Sequence, residues 1–160
     1  MARGVGIGKT TLSAFDAALK RAGVYNYNLI TLSSIIPPLS KVKLVRRYET
    51  SPADYGHKLY VVKAETRSYE VGKYIAAGLG WYQVDDGRGV FVEHEIIGDT
   101  KLAVESEIQW RITNSLKDLC TSRRYQFSEK NVKIAIAITQ IMHHPTSVLV
   151  IAVYQSEGWE

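Results

Sequence analysis

Two apolar runs, residues 74–84 and 90–97, flank the string Asp85-Asp86-Gly87-Arg88-Gly89. Strand-length apolar runs joined through an Asp-Gly turn signal predict a β-hairpin. The hairpin commits the chain to a sheet that every other segment must extend, cover or connect. Directly after it, Asp99 or Thr100 can cap a long helix reaching about Cys120, with Val104, Ile108, Ile112, Leu116 and Leu119 on one face. An earlier helix runs from the caps Thr10 and Thr11 to the natural stop Gly23, its expected buried stripe being Leu12, Phe15, Leu19 and Ala22. Further strands are expected at 25–33, 42–46, 59–64, 132–142 and 147–154, with Pro37-Pro38 closing the first, because proline cannot continue a ladder. The expectation is one α+β domain over residues 1–160, with two main helices and about seven strands.

Composition narrows the class. Apolar residues make up 46% and charged residues 22% of the 160, which argues against disorder and collagen-like repeats. A net charge of +4, evenly spread, is too weak to indicate nucleic acid. The single Cys120 cannot form an internal disulfide, and a reducing, cytoplasmic setting fits. The longest apolar stretch, 134–138, is far short of the ~20 residues of a membrane span, and the first residues lack the apolar core of a signal peptide. A cytosolic enzyme or binding domain, away from membranes, is the resulting expectation.

Several candidate sites compete. Gly4-Val-Gly-Ile-Gly8-Lys9-Thr10 resembles a phosphate-binding loop, but Arg3 stands where the first glycine belongs and no strand is expected before it. The better reading is a glycine-rich entry into the first helix. His57, His94, His143 and His144 form no metal-ligand pattern, so no metal is expected. In Glu93-His94-Glu95, strand alternation sends both carboxylates to one face and the imidazole to the other. Cys120 beside Arg123 and Arg124 is either an activated or a passive thiol, the latter favoured because no histidine partners it. The ten tyrosines and three tryptophans are scattered through apolar segments, which favours packing over nucleic-acid stacking. Ser33-Ser34, just before Ile35-Ile36-Pro37-Pro38, is open to two readings. The serines either bond nearby backbone at a strand end, or one is a nucleophile on a strained chain.

Leu12-Ser-Ala-Phe-Asp16-Ala-Ala-Leu19, Ala22-Gly23, and Asn28-Leu29-Ile30 followed by Ser33-Ser34-Ile35-Ile36-Pro37-Pro38 closely resemble the pyruvoyl-dependent arginine decarboxylases. Phe91-Val92-Glu93-His94-Glu95 is similar to the hydrophobic-Glu-x-Glu strand of that family. The resemblance implies a layered αββα sandwich and self-cleavage between Ser33 and Ser34. A β chain of residues 1–33 and an α chain of residues 34–160 would result. The resemblance makes Ser34 Oγ the attacker of the Ser33 carbonyl. Elimination and hydrolysis then leave a pyruvoyl group in place of Ser34, so neither PLP nor a metal is implied. Asn28 matches the asparagine that assists this step, and a side-chain amide is suited to donating to an oxyanion.

The implied reaction converts L-arginine to agmatine and CO2, the ketone condensing with the substrate amine as a Schiff base. Glu93 matches the proton donor. It shares a strand face with Phe91 in an apolar segment, where desolvation would raise a carboxyl pKa, and Glu95 on the same face is its rival. Asp16 matches the anchor for the substrate guanidinium; from the residues alone, an internal salt bridge is an equal reading. Trimers, sometimes paired into hexamers, with active sites between adjacent subunits are implied as well. The alternatives are a pyruvoyl decarboxylase of another basic amino acid, or an unprocessed relative that binds or assembles. The first 33 residues hold Arg3, Lys9, Lys20 and Arg21 against Asp16, so +3 of the net +4 would lie in the short chain.

Overall fold

The computed structural model describes residues 1–159; Glu160, the last residue of the expected long chain, lies outside the described residues. In chain order the elements are β1 Ala2–Ile7, α1 Thr11–Ala22, β2 Asn28–Thr31, β3 Ile35–Ile36, β4 Lys58–Ser68, β5 Tyr74–Gln83, β6 Gly89–Gly98, α2 Lys101–Ser122, β7 Lys133–Gln140 and β8 Thr146–Glu157. They form two four-stranded sheets, ordered β1-β8-β4-β2 and β3-β6-β5-β7. Alternation along each strand sends one set of side chains inward and the other toward a helix. Val62, Ala64, Val148 and Val150 of the first sheet meet Ile75, Ala77, Leu79 and Phe91 of the second in the central core. Val104, Ile108, Ile112 and Leu116 of α2 cover the outer face of the second sheet, against Ala76, Val90 and Val92. Ala18 and Ala22 of α1 cover the first sheet against Leu59, Val61, Leu149 and Ile151. The result is the expected α+β layering, helix on sheet on sheet on helix.

Both helices begin as the sequence implies. Thr10 accepts from Ser13 N–H at 3.1 Å in a reciprocal capping box, and Thr100 accepts from Ala103 N–H at 3.2 Å. Gly23 closes α1 at φ 88°.

Two strand expectations are corrected. The glycine-rich start is not a loop but strand β1, antiparallel to β8. A Cβ on Gly4 would lie 2.1 Å from Ala18 O, and one on Gly6 2.1 Å from Ala14 O. These glycines therefore let α1 press directly onto the sheet. Residues 42–46 form no strand: Val45 N–H donates to Met1 O at 2.9 Å, and the rest of the segment stays irregular and largely exposed. The expected strand over 25–33 contracts to β2, because Val24 to Tyr27 turns, with Tyr27 N–H on Val24 O. With the two-residue β3 added, the strands number eight rather than seven among the described residues.

Of the expected stripe on α1, Phe15, Leu19 and Ala22 pack against the first sheet, and only Leu12 is corrected. Ala14, Ala18 and Ala22 are the buried residues, whereas Leu12 is 68% exposed. Small residues on both sides bring helix and strand into close contact, and the larger Leu12 is left on the outside.

Candidate active site

The chain crosses from the edge of the first sheet to the edge of the second at Ser33-Ser34. Before the crossing, β2 runs parallel to β4, and Leu32 N–H donates to Val61 O at 2.8 Å. After it, Ile35 and Ile36 pair antiparallel with Val90 and Gly89 of β6, and Phe91 N–H donates to Ser34 O at 2.8 Å. A direct crossing between packed sheets requires a sharp bend. Ser34 supplies it at φ 67°, in the left-handed region that costs a residue with a Cβ roughly 1–2 kcal/mol. Ser33 is exposed and Ser34 half-buried.

This bend aims the Ser34 side chain at β6. Its hydroxyl donates to Glu93 Oε1 in a short hydrogen bond. Residues 59 positions apart in sequence thus form one hydroxyl–carboxylate pair. The strand alternation read from Glu93-His94-Glu95 holds. His94 points to the helix side, with Nε2 2.8 Å from Ser115 Oγ, and burial pushes its pKa down, helped by the Arg111 charge. Glu95 faces the first sheet and accepts from Glu65 N–H at 3.3 Å, and burial pushes its carboxyl up.

Tyr154 of β8 completes the surroundings. Its hydroxyl donates to Ile35 O at 2.9 Å, and its ring meets Phe91 edge-on with centroids 6.2 Å apart. Burial, and then the Glu93 charge, push this phenol up to about 12, so it remains a donor at neutral pH. Nothing in the sequence marks Tyr154 as part of this group, since its partner Ile35 is 119 residues away.

The other expected residues lie elsewhere in the subunit. Asn28 opens β2, at the far end of that extended strand from Ser34, and its Nδ2 donates to Gly56 O at 2.7 Å. Asp16 is exposed on α1, not on the margin of a buried stripe, and among the described residues it makes no ion pair. The internal salt bridge that the residues left open is therefore not formed. Cys120 is buried on the inner face of α2, where burial pushes its thiol up, which removes the activated-thiol reading. Among the described residues no group of three His, Cys, Asp or Glu is placed to hold a metal. A cavity of about 340 Å³ lies behind Phe91 and Tyr154, but its charged lining residues are Lys41 and Lys43, the wrong sign for a guanidinium.

The family model described as pyruvoyl-dependent arginine decarboxylase matches residues 1–158. The chain belongs to the pyruvoyl-dependent arginine decarboxylase family. A Halobacterium salinarum protein named pyruvoyl-dependent arginine decarboxylase is 30% identical over 159 residues, 98% of this chain and 94% of the relative. Proteins of the same name from Thermoplasma volcanium and Methanococcus maripaludis are 37% identical over 102 residues and 30% identical over 131. The first of these alignments covers 62% of this chain and 55% of the relative; the second covers 79% and 72%.

Membership in this family carries a covalently bound pyruvoyl group. The residues fit such a group at Ser34: its backbone is held in a strained turn, its hydroxyl meets a carboxylate, and its carbonyl is fixed by the Phe91 amide.

Proposed function

We propose that this chain cuts itself between Ser33 and Ser34 and then decarboxylates L-arginine to agmatine and CO2. The observation that carries the reading is the hydrogen bond from Ser34 Oγ to the Glu93 carboxylate on a strained backbone. A hydroxyl is a weak nucleophile until a base takes its proton, and Glu93 is the base within reach. Ser34 Oγ attacks the Ser33 carbonyl carbon, the Ser33–Ser34 C–N bond breaks, and Glu93 passes the proton on to the departing nitrogen. Relief of the left-handed bend favours scission at this peptide bond.

The pyruvoyl ketone supplies the electron sink for the bond to the departing carboxyl. Glu93, beside residue 34 from the outset, holds the proton destined for the carbon that CO2 leaves. Asp16 grips the substrate guanidinium through the two-pronged contact that suits arginine. Its exposure and lack of a cationic partner within the subunit support a role across a subunit boundary, in a trimer or a pair of trimers. Asn28, distant from Ser34 along β2, serves a neighbouring subunit's scission site in the same arrangement. Asp16 gives this reading its preference for a basic amino acid. No helix among the described residues is long and apolar enough to cross a membrane, and the reading places the enzyme in the cytoplasm.

Intact-mass analysis of the purified protein tests the proposal. Fragments 1–33 and 34–160 are expected, the second with a blocked N-terminus that borohydride fixes covalently to arginine. A single uncut chain inert to borohydride and arginine supports a binding or assembly relative instead. Fixation of lysine or ornithine in preference to arginine transfers the reading to another basic amino acid.

A further inference from the structure

We propose that the Phe91 backbone N–H is the oxyanion donor for the elimination half of self-cleavage, and that Tyr154 is the positioning residue that holds residue 34 against it. The inference rests on Ser33–Ser34 being the scission pair.

Once Ser34 Oγ carries the Ser33 acyl group as an ester, the Ser34 Cα proton must leave. Its electron pair forms the Cα–Cβ double bond as the Cβ–Oγ bond breaks, and Ser33 departs as a carboxylate. The proton goes to the Glu93 carboxylate already beside this side chain. The remaining residue, with its free amine, takes up water and releases ammonia, leaving the ketone. Negative charge in the first of these events develops on the Ser34 carbonyl oxygen, because that carbonyl is conjugated with the Cα losing its proton. The oxygen already accepts from Phe91 N–H at 2.8 Å. A donor in place before the charge appears needs no reorganisation, the condition under which such contacts are most effective.

The contact depends on register, and β3 supplies little of it: two residue pairs, Ile35 with Val90 and Ile36 with Gly89. Tyr154 adds the missing restraint from the opposite sheet. Its hydroxyl holds the carbonyl of Ile35, the residue after Ser34, while its ring packs on the side chain of Phe91, the residue that donates. It touches both sides of the Ser34–Phe91 contact and none of the reacting atoms. A misplacement of about 1 Å in a reacting geometry can cost on the order of 10²-fold, so a restraint of this kind acts on rate.

Full-length chain made by cell-free translation and then chased tests this. Hydroxylamine, which cuts esters, reports the first step, and mass analysis of blocked 34–160 reports the second. In Tyr154→Phe, hydroxylamine is expected to cut at 33–34 as in the parent, while blocked 34–160 forms roughly ten- to hundredfold more slowly. Replacement of Tyr154 by 4-aminophenylalanine keeps a donor at the same place and is expected to restore the rate. Melting of Ser34→Ala with and without Tyr154→Phe, both uncuttable, shows whether the fold is intact. Formation of blocked fragment by Tyr154→Phe at the parent rate overturns the inference. So does loss of hydroxylamine sensitivity, or failure of the amino variant to rescue an intact fold. A parent chain giving neither ester nor fragments removes the scission reading itself, and this inference with it.

Discussion

Ser34 and Glu93 are joined by a hydrogen bond from hydroxyl to carboxylate across the edge of the second sheet. In the proposed reaction one carboxylate would therefore stand beside both the scission and the decarboxylation that follows. Ser34→Ala is expected to leave the chain uncut. Glu93→Gln, which keeps the shape but cannot take a proton, is expected to slow scission and to lower kcat by about 10²–10⁴ after scission. Glu95→Gln keeps an acceptor for Glu65 N–H and is expected to do neither. Gel analysis of cutting and CO2 release check these; the roles of Glu93 and Glu95 exchange if Glu95→Gln alone loses turnover.

Asp16→Asn is expected to cut normally and to raise KM for arginine roughly ten- to hundredfold, the loss of a charge-assisted contact of about 1.5–3 kcal/mol. Mixing subunits of Asp16→Asn with subunits of Ser34→Ala, unfolded and refolded together before any cutting, gives a sharper outcome. Where one subunit's Asp16 serves another's residue 34, mixed assemblies regain the low KM that neither variant alone shows. No recovery would place both groups in one subunit.

Gly6→Ala is expected to lower stability by about 2 kcal/mol or more, because its Cβ would sit 2.1 Å from Ala14 O and 2.3 Å from Ala18 N. Urea unfolding of the uncut Ser34→Ala background measures this. An unchanged midpoint would contradict the close seating of α1 on β1.

His94 carries a pH dependence whose sign follows from its burial. The folded state holds the imidazole below its ordinary value of about 6.5. The unfolded chain therefore binds the proton first as pH falls, and stability is lost below about pH 6.5. His94→Asn is expected to flatten that slope in urea titrations at pH 5 to 7. An equal slope in the variant would assign the effect to another group.

The hairpin of β5 and β6, helix α2, and strands β7 and β8 are legible because each carries an unbroken apolar run or stripe of the right period. β1 is hidden by its composition. Ala2, Gly4 and Gly6 alternate as inward residues, but small residues register as a loop unless paired with Ala14, Ala18 and Ala22, the matching small stripe of α1. Asp16 misleads in a related way: Phe15, Leu19 and Ala22 of the expected stripe do pack on the first sheet, but the most deeply buried line is Ala14, Ala18 and Ala22, and Leu12, which would have put Asp16 on the margin, is exposed. The serine pair and Glu93 are visible through their local strings. Tyr154 and the Phe91 amide are not, since one is a tyrosine among ten and the other is backbone, and only the packing of the two sheets and the pairing of β3 with β6 bring them to Ser34.

Residues 1–33 supply both edge strands of the first sheet, β1 and β2, and the helix that covers it. The proposed cut between Ser33 and Ser34 would leave the short chain bracketed around strands that belong to the long one, and the architecture would survive it. The ability to return to that architecture would not. Unfolding after such a cut would turn one molecule into two, so refolding would become a concentration-dependent encounter between residues 1–33 and their former continuation. An uncut precursor would fold as a single chain; its cut product would inherit a structure that it could no longer reach by folding alone.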